Sequence, residues 1–157
     1  MKSRAFWMCL IPMSLVTSAA WGQATATTRT HNFAPFGLGS TETARVDLSN
    51  LAVASAGGTA PSCTGNVAFV NSAGATIGTA TNFTVASGQT SSISLAFGSA
   101  GLAGSRGEIR VVLQTTRSAT APAPCSLFVS LQTFDTSGGA THLYSAGEVS
   151  TGGPGRN

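Results

Sequence analysis

Residues 63–69 read CTGNVAF and residues 125–131 read CSLFVSL, and a cysteine begins an alternation of apolar and polar positions in each segment. Such a period of two predicts a β-strand with one buried face and one solvated face. The residues that share the apolar face are Cys63, Gly65, Val67 and Phe69 in the first segment, and Cys125, Leu127, Val129 and Leu131 in the second. The two segments therefore predict two cysteine-bearing strands of an all-β domain.

The same alternation recurs along the chain, and no segment has helical periodicity. It covers residues 33–38, 43–49, 76–85, 93–97, 109–113 and 141–145, with turns rich in Gly, Asn and Ser between them. Pro35 marks the first of these as an edge strand, because proline cannot donate to a central ladder. About seven to nine short strands predict a single antiparallel β-sandwich over residues 31–145.

The N-terminal residues have the three parts of a secretory signal peptide. Lys2 and Arg4 precede the mostly apolar run 5–16, and small residues follow from Ser18 to Ala24. The apolar run is too short to span a membrane as a helix. We therefore expect a signal peptide at 1–22 with cleavage within 20–24, and a secreted protein, either periplasmic or extracellular. Residues 23–30 are expected to form a flexible lead-in, and residues 146–157 a disordered, glycine-rich tail.

Two cysteines remain after removal of the signal peptide, which carries Cys9. An even number of cysteines in an oxidising compartment predicts a Cys63–Cys125 disulfide. A bond that closes a loop of about 60 residues stabilises a fold by roughly 4 kcal/mol on the chain-entropy model.

The charge of the mature chain is close to neutral. The mature chain has six arginines and five carboxylates, which gives a net charge of +1, whereas the whole chain carries +3. Scattered arginines without a basic cluster exclude the electrostatic pattern of a nucleic-acid-binding protein.

Candidate catalytic groups are few. His31 and His142 are the two histidines, and they would form a metal-binding or catalytic pair only if the first and last strands were neighbours. The carboxylates have structural explanations: Asp47 lies two residues from Arg45, Glu108 lies between Arg106 and Arg110, and Asp135 suits the start of a turn. Motifs for a nucleophile, a redox cysteine pair or a phosphate loop are lacking. We expect no enzyme activity, no cofactor and no metal.

Part of the chain resembles bacterial CARDB-type and related Ig-like modules. The resemblance lies in Phe69–Gly74, Ile77–Thr79, Val85–Thr90 and Ile93–Leu95, where a strand, a glycine turn and a return strand precede a Gly-Gln-Thr turn. Residues 33–38 and 43–46 also resemble short secreted bacterial proteins of unassigned function. This resemblance implies an Ig-like sandwich. The chain departs from true immunoglobulin domains, since it has no tryptophan between the cysteines, and Ala123 stands where their corner tyrosine would be.

Three functions remain open at this point. The first is a secreted Ig-like domain with a structural or protein-interaction role at the cell surface or elsewhere in the cell envelope. The second is a fimbrial or pilus-type subunit assembled by strand donation, although the C-terminal residues lack an alternating apolar strand. The third is a metal-binding or enzymatic protein that uses His31 and His142. The partner protein or envelope component and the oligomeric state are not indicated by the sequence.

A faint internal echo also leaves two interpretations. Residues 42–48 parallel 89–95, and the hairpin after Cys63 parallels the one after Cys125. Either hairpins share turn chemistry, or the sandwich is pseudo-symmetric and each half contributes one cysteine.

Overall fold

The computed structural model describes residues 26–54, 56–59, 61–117 and 125–150. These residues form nine strands and a single 3₁₀ turn at Phe97–Ser99. In chain order the strands are β1 (Thr27–Asn32), β2 (Phe36–Gly39), β3 (Glu42–Asn50), β4 (Cys63–Asn71), β5 (Thr76–Val85), β6 (Thr90–Ala96), β7 (Arg106–Arg117), β8 (Ser126–Asp135) and β9 (Thr141–Ser150). Within these ranges no helix is long and apolar enough to cross a membrane.

The strands form two antiparallel sheets. Sheet A has the order β1-β7-β4-β5, and β2 pairs with β7 beside β1. Sheet B has the order β6-β3-β8-β9. The long strand β7 has two partners on one side, since β1 pairs with Val112–Arg117 and β2 pairs with Arg106–Ile109. The predicted all-β sandwich is confirmed.

The core lies between the sheets and follows the alternation of the sequence. In β3 the buried apolar side chains are Ala44, Val46 and Leu48, and β7 and β8 contribute Ile109, Val111, Leu113, Leu127, Val129 and Leu131 in the same way. Each fully buried Val, Leu or Ile contributes about 1.5–3 kcal/mol relative to its exposed state. In these three strands the period of two therefore determines which face is buried.

One disulfide links the two sheets. Cys63 begins β4 in sheet A, and Cys125 directly precedes β8 in sheet B. Their Cα atoms are 5.3 Å apart and their sulfurs are bonded. Both cysteines are buried, so the bond lies at one end of the core. The predicted disulfide is confirmed.

The predicted N-terminal boundary of the domain, at residue 31, is wrong. Residues 27–30, expected in a flexible lead-in, belong to β1 and pair with Gln114–Arg117. Most side chains of β1 are exposed, so it has no apolar alternation to mark it. Phe33–Pro35 interrupts the predicted first strand and separates β1 from β2, because Pro35 has no N–H for a ladder.

The predicted C-terminal boundary, at residue 145, is wrong as well. Residues 146–150, expected in a disordered tail, extend β9 and pair with residues 126–130 of β8. The predicted signal peptide and the rest of the predicted tail, residues 151–157, lie outside the described residues.

The topology decides between the two interpretations of the internal echo. β3 and β6, which contain the echoed segments, are neighbours in sheet B. The hairpin β4–β5 lies in sheet A, and the hairpin β8–β9 lies in sheet B. A two-fold axis that exchanged the hairpins would also place β3 and β6 in different sheets. The arrangement of the strands therefore does not have the two-fold symmetry of a pseudo-symmetric sandwich.

Candidate binding site on the outer face of sheet A

The two histidines lie in different sheets. His31 is on β1, opposite Leu113 of β7, and His142 is on β9, opposite Thr133 of β8. The first and last strands therefore belong to different sheets and are not hydrogen-bonded to each other. Among the described residues, no group of three or more His, Cys, Asp or Glu side chains is arranged to hold a metal ion.

The environment of His31 favours its neutral form. Its Nε2 is buried and has no hydrogen-bond partner among the described residues. Burial lowers the pKa of His31, and the positive charge of Arg29 lowers it further. His31 lies on β1 at the edge of sheet A, opposite the buried Leu113.

Asp47 is held by neighbours on the outer face of sheet B. Its Oδ1 lies 2.7 Å from Arg45 Nε, and its Oδ2 accepts a hydrogen bond of 2.8 Å from Gln132 Nε2. The hydroxyl of Ser92 also donates to Oδ1. The predicted partnership with Arg45 is confirmed, and the carboxylate is engaged in cross-strand contacts.

Asp135 begins the turn between β8 and β9, as predicted. Its Oδ1 accepts hydrogen bonds from the backbone N–H groups of Ser137 and Gly138 and from the Ser137 hydroxyl. Its Oδ2 accepts a fourth from the Thr41 hydroxyl. These bonds, that of the Ser137 hydroxyl foremost, lower the pKa of Asp135 to about 2. Four donors to one carboxylate stabilise its charged form.

Arg106, Glu108 and Arg110 differ from Asp47 and Asp135, whose carboxylates are engaged by neighbouring groups. They occupy alternate positions of β7 and therefore share the outer face of sheet A. Their proximity in sequence suggested mutual ion pairs. In the part of the chain that the structure describes, however, none of the three makes an ion pair or a side-chain hydrogen bond. We call them the charged row.

Two clefts adjoin the charged row. The first has a volume of about 520 Å³ and lies between the segment Pro35–Gly37 and the segment Arg106–Glu108. The second has a volume of about 360 Å³ and extends past Arg110 to the β4–β5 turn at Asn71–Gly74. Pro35 and Glu108 line both clefts. Each cleft thus combines one guanidinium group, the shared carboxylate and the apolar ring of a proline.

Strand β2 leaves the space for the first cleft. Gly37 pairs with Glu108 and Gly39 with Arg106, so β2 places no side chain on this part of the outer face. A Cβ atom at Gly37 would overlap Nε of Arg106 and lie 2.6 Å from its Nη2. The guanidinium group of Arg106 therefore lies directly against the backbone of β2, which explains why it does not reach Glu108.

The side chains on the inner face of β2 fix the position of this strand beside the first cleft. Phe36 is buried, and its ring centroid lies 4.8 Å from that of Tyr144 on β9. The Tyr144 hydroxyl donates a hydrogen bond of 3.4 Å to the carbonyl oxygen of Gly37. The short strand is therefore anchored to sheet B behind the cleft as well as to β7 beside it.

The other strand residues that the structure describes on the outer face of sheet A are uncharged. Four threonines align across β1, β7, β4 and β5 in the order Thr28, Thr116, Thr64 and Thr84. The next row contains Thr30, Gln114, Asn66 and Asn82, where Asn66 Nδ2 donates to Gln114 Oε1 over 3.1 Å. The charges of this face are therefore concentrated at the end that carries the clefts.

The charged row is visible in the sequence, but its residues were expected to pair with one another. The missed signal is the alternation in β2, where Phe36 and Leu38 are buried and Gly37 and Gly39 occupy the opposite face. Only the register of β2 against β7 shows that these glycines adjoin the arginines. Comparisons with protein-family models, with curated proteins and with solved structures found no match for this chain.

Proposed function

We propose that this chain is a secreted bacterial protein with an Ig-like domain that binds a component of the cell envelope and catalyses no reaction. The observation that carries the proposal is the charged row, whose three side chains have no partner among the described residues and adjoin two clefts. Asp47, by contrast, is engaged by Arg45, Gln132 and Ser92 on the outer face of sheet B. Charged groups that make no intramolecular contact beside a concave surface are available to pair with a ligand.

Two further features support secretion. The basic and apolar N-terminal segment has the pattern of a signal peptide. The disulfide between the sheets requires an oxidising compartment to form and persist. A disulfide-linked sandwich withstands the conditions outside the cytosol, which suits a module that presents a fixed surface.

We prefer this function to strand donation because the described sheets are continuous. β7 is paired by β1 and β2 on one side and by β4 on the other. A subunit that waits for a donated strand exposes a groove where a strand is missing, and the strand order of the described residues contains no such gap.

Fractionation of a bacterial host that expresses the full chain tests the proposal. We expect a processed protein outside the cytosol that sediments with the envelope and is released at high salt, because surface charge pairs are screened. A variant that lacks residues 1–22 is the control and should stay in the cytosol. Unprocessed protein in the cytosol, or processed protein that neither sediments with the envelope nor cross-links to any component of it, would refute the proposal.

A further inference from the structure

The charged row has a defined order and spacing. Alternate residues of a strand are about 6.8 Å apart, so the Cα atoms of Arg106 and Arg110 are roughly 13 Å apart, with Glu108 midway between them. The row therefore presents positive, negative and positive groups in sequence along the clefts. A ligand that neutralises all three groups must carry negative, positive and negative groups at the same spacing.

An extended peptide meets this requirement without adjustment. Its side chains at alternate positions point to one side and have the same spacing as those of β7. From this complementarity we infer that the clefts bind an extended segment of a partner protein, with acidic, basic and acidic residues at alternate positions. The inference rests on the proposed envelope-binding function, and it specifies the chemistry of the partner.

The surroundings of the row suit a peptide as well. Phe33 and Pro35 line the second cleft and offer apolar surface to the aliphatic part of a ligand side chain. Gly37 and Gly39 place no side chain of β2 beside the row, and the head groups of Arg106 and Glu42 lie next to them instead. A side chain of the ligand that entered this space would contact Arg106, which already lies there.

Two other occupants are disfavoured by charge. A second copy of this chain, docked by a two-fold axis through Glu108, would place Arg106 against Arg110 and Glu108 against Glu108. A uniformly acidic polymer, such as an acidic polysaccharide, would satisfy both arginines but would place a negative group against Glu108. The mixed peptide is the occupant that leaves no like charges facing each other.

Probe peptides test the inference on the mature, oxidised protein. The first is Ac-Asp-Ala-Lys-Ala-Asp-NH₂, and its matched control is the charge-inverted Ac-Lys-Ala-Asp-Ala-Lys-NH₂. Exposed ion pairs are individually weak, so we expect a dissociation constant on the order of a millimolar for the first peptide and at least about tenfold weaker binding of the inverted one. Backbone amide shifts in an NMR titration should map to residues 106–110 and 71–74.

A charge-swapped variant provides the sharper test. The triple substitution Arg106→Glu, Glu108→Arg and Arg110→Glu should reverse the preference, so that the inverted peptide binds about tenfold tighter. Gly37→Ala should weaken binding of the first peptide severalfold, because it displaces the Arg106 head group without a change of charge. Arg117→Ala, on the same strand but outside the row, is the control and should leave binding unchanged. Thermal unfolding confirms that each variant is folded.

Several outcomes would overturn the inference. These are equal binding of the two peptides, chemical-shift changes elsewhere on the surface, no reversal in a folded triple variant, or tighter binding of oligogalacturonate than of the first peptide. The last result would identify a polyanion-binding surface. Envelope retention of the triple variant at the level of the unmodified chain would refute the inference and leave the proposed function standing. Selective peptide binding by a chain that is never exported would refute only the proposed function.

Discussion

Asn50 is fully buried, and its side chain connects three segments of the molecule. Its Nδ2 donates hydrogen bonds of 2.9 Å to the carbonyl oxygens of Pro61 and Val85. Its Oδ1 accepts one of the same length from the backbone N–H of Ala52. The end of β3, the loop before β4 and the end of β5 are thus joined by one amide.

Replacement of Asn50 by alanine should destabilise the protein by about 2–4 kcal/mol. The substitution leaves two carbonyl groups and one N–H without their partner, and each buried unsatisfied group costs about 1–3 kcal/mol. Urea unfolding of both proteins measures the difference. Asn66→Ala, which removes one half-buried bond to Gln114, is the matched control and should cost less than about 1 kcal/mol. Equal losses in the two variants would contradict the role given to Asn50.

Asp135 should titrate far below an ordinary aspartate. A carboxyl-detected NMR titration should give a pKa of about 2, compared with an ordinary value of 3.8. Ser137→Ala should move that pKa part of the way back, because the Ser137 hydroxyl is the largest cause of the shift. A pKa that does not move in this variant would show that the hydroxyl does not stabilise the charge.

The sign of the associated stability change follows from the direction of the shift. A pKa that is lower in the folded state contributes stability above the unfolded value, and this contribution is lost as the pH falls from about 3.8 towards 2. The variant Asp135→Asn should lack this component of the acid unfolding curve. Since the carboxylate is exposed, solvent screens its interactions and the component should be small.

At the scale of the strands, the contact between β4 and β7 depends on Gly65. A Cβ atom at this position would overlap the backbone oxygen of Gln114 and lie 2.9 Å from Cζ of Phe83. The first of these neighbours is backbone and can move only if the strands separate. Gly65 is therefore required by the close approach of two central strands of sheet A.

Gly65→Ala should destabilise the protein by about 1–3 kcal/mol or more, the range typical of overpacked cores. Gly147→Ala on β9 is the matched control, since a Cβ there meets nothing within 4 Å. That substitution should change the stability by less than about 0.5 kcal/mol. Thermal or urea unfolding measures both. A Gly65→Ala protein as stable as the control would show that β4 and β7 are farther apart than described.

The strands differ in how much of their structure the sequence determines. β3 and β8 alternate between buried and solvated positions, so residues such as Val46 and Val129 identify the inner face directly. β1 lies at an edge of sheet A and has no such alternation of apolar residues. It is identified as a strand by its pairing with β7. A segment whose structure depends on its partner cannot be recognised from its own residues.

The candidate site was predictable only in part for a related reason. The sequence places Arg106, Glu108 and Arg110 at alternate positions, although the strand that it predicts covers only 109–113. Whether these groups pair with one another depends on the neighbouring strand, and the absence of a side chain at Gly37 lets Arg106 lie against β2 instead. This arrangement is a property of the tertiary structure and has no local signature.

At the scale of the whole molecule, the disulfide is the covalent link between the two sheets. It spans 62 residues of sequence. A loop of this length should contribute roughly 4 kcal/mol on the chain-entropy model, and measured values are often lower. The variant with both Cys63→Ala and Cys125→Ala should therefore lose about 2–4 kcal/mol in urea unfolding. Unmodified protein unfolded in the presence of a reducing agent should show a similar loss, and a loss below about 1 kcal/mol in both would contradict the stabilising role of the bond.

The proposed function depends above all on the protein acting outside the cytosol as an oxidised, two-sheet sandwich. The intact mass of the native protein, alkylated in denaturant without a reducing agent, tests this claim most directly. We predict a chain that begins after a cut within residues 20–24, carries no alkyl group and lacks the two thiol hydrogens of Cys63 and Cys125. A chain that begins at Met1, or one with both of these thiols alkylated, would contradict the claim.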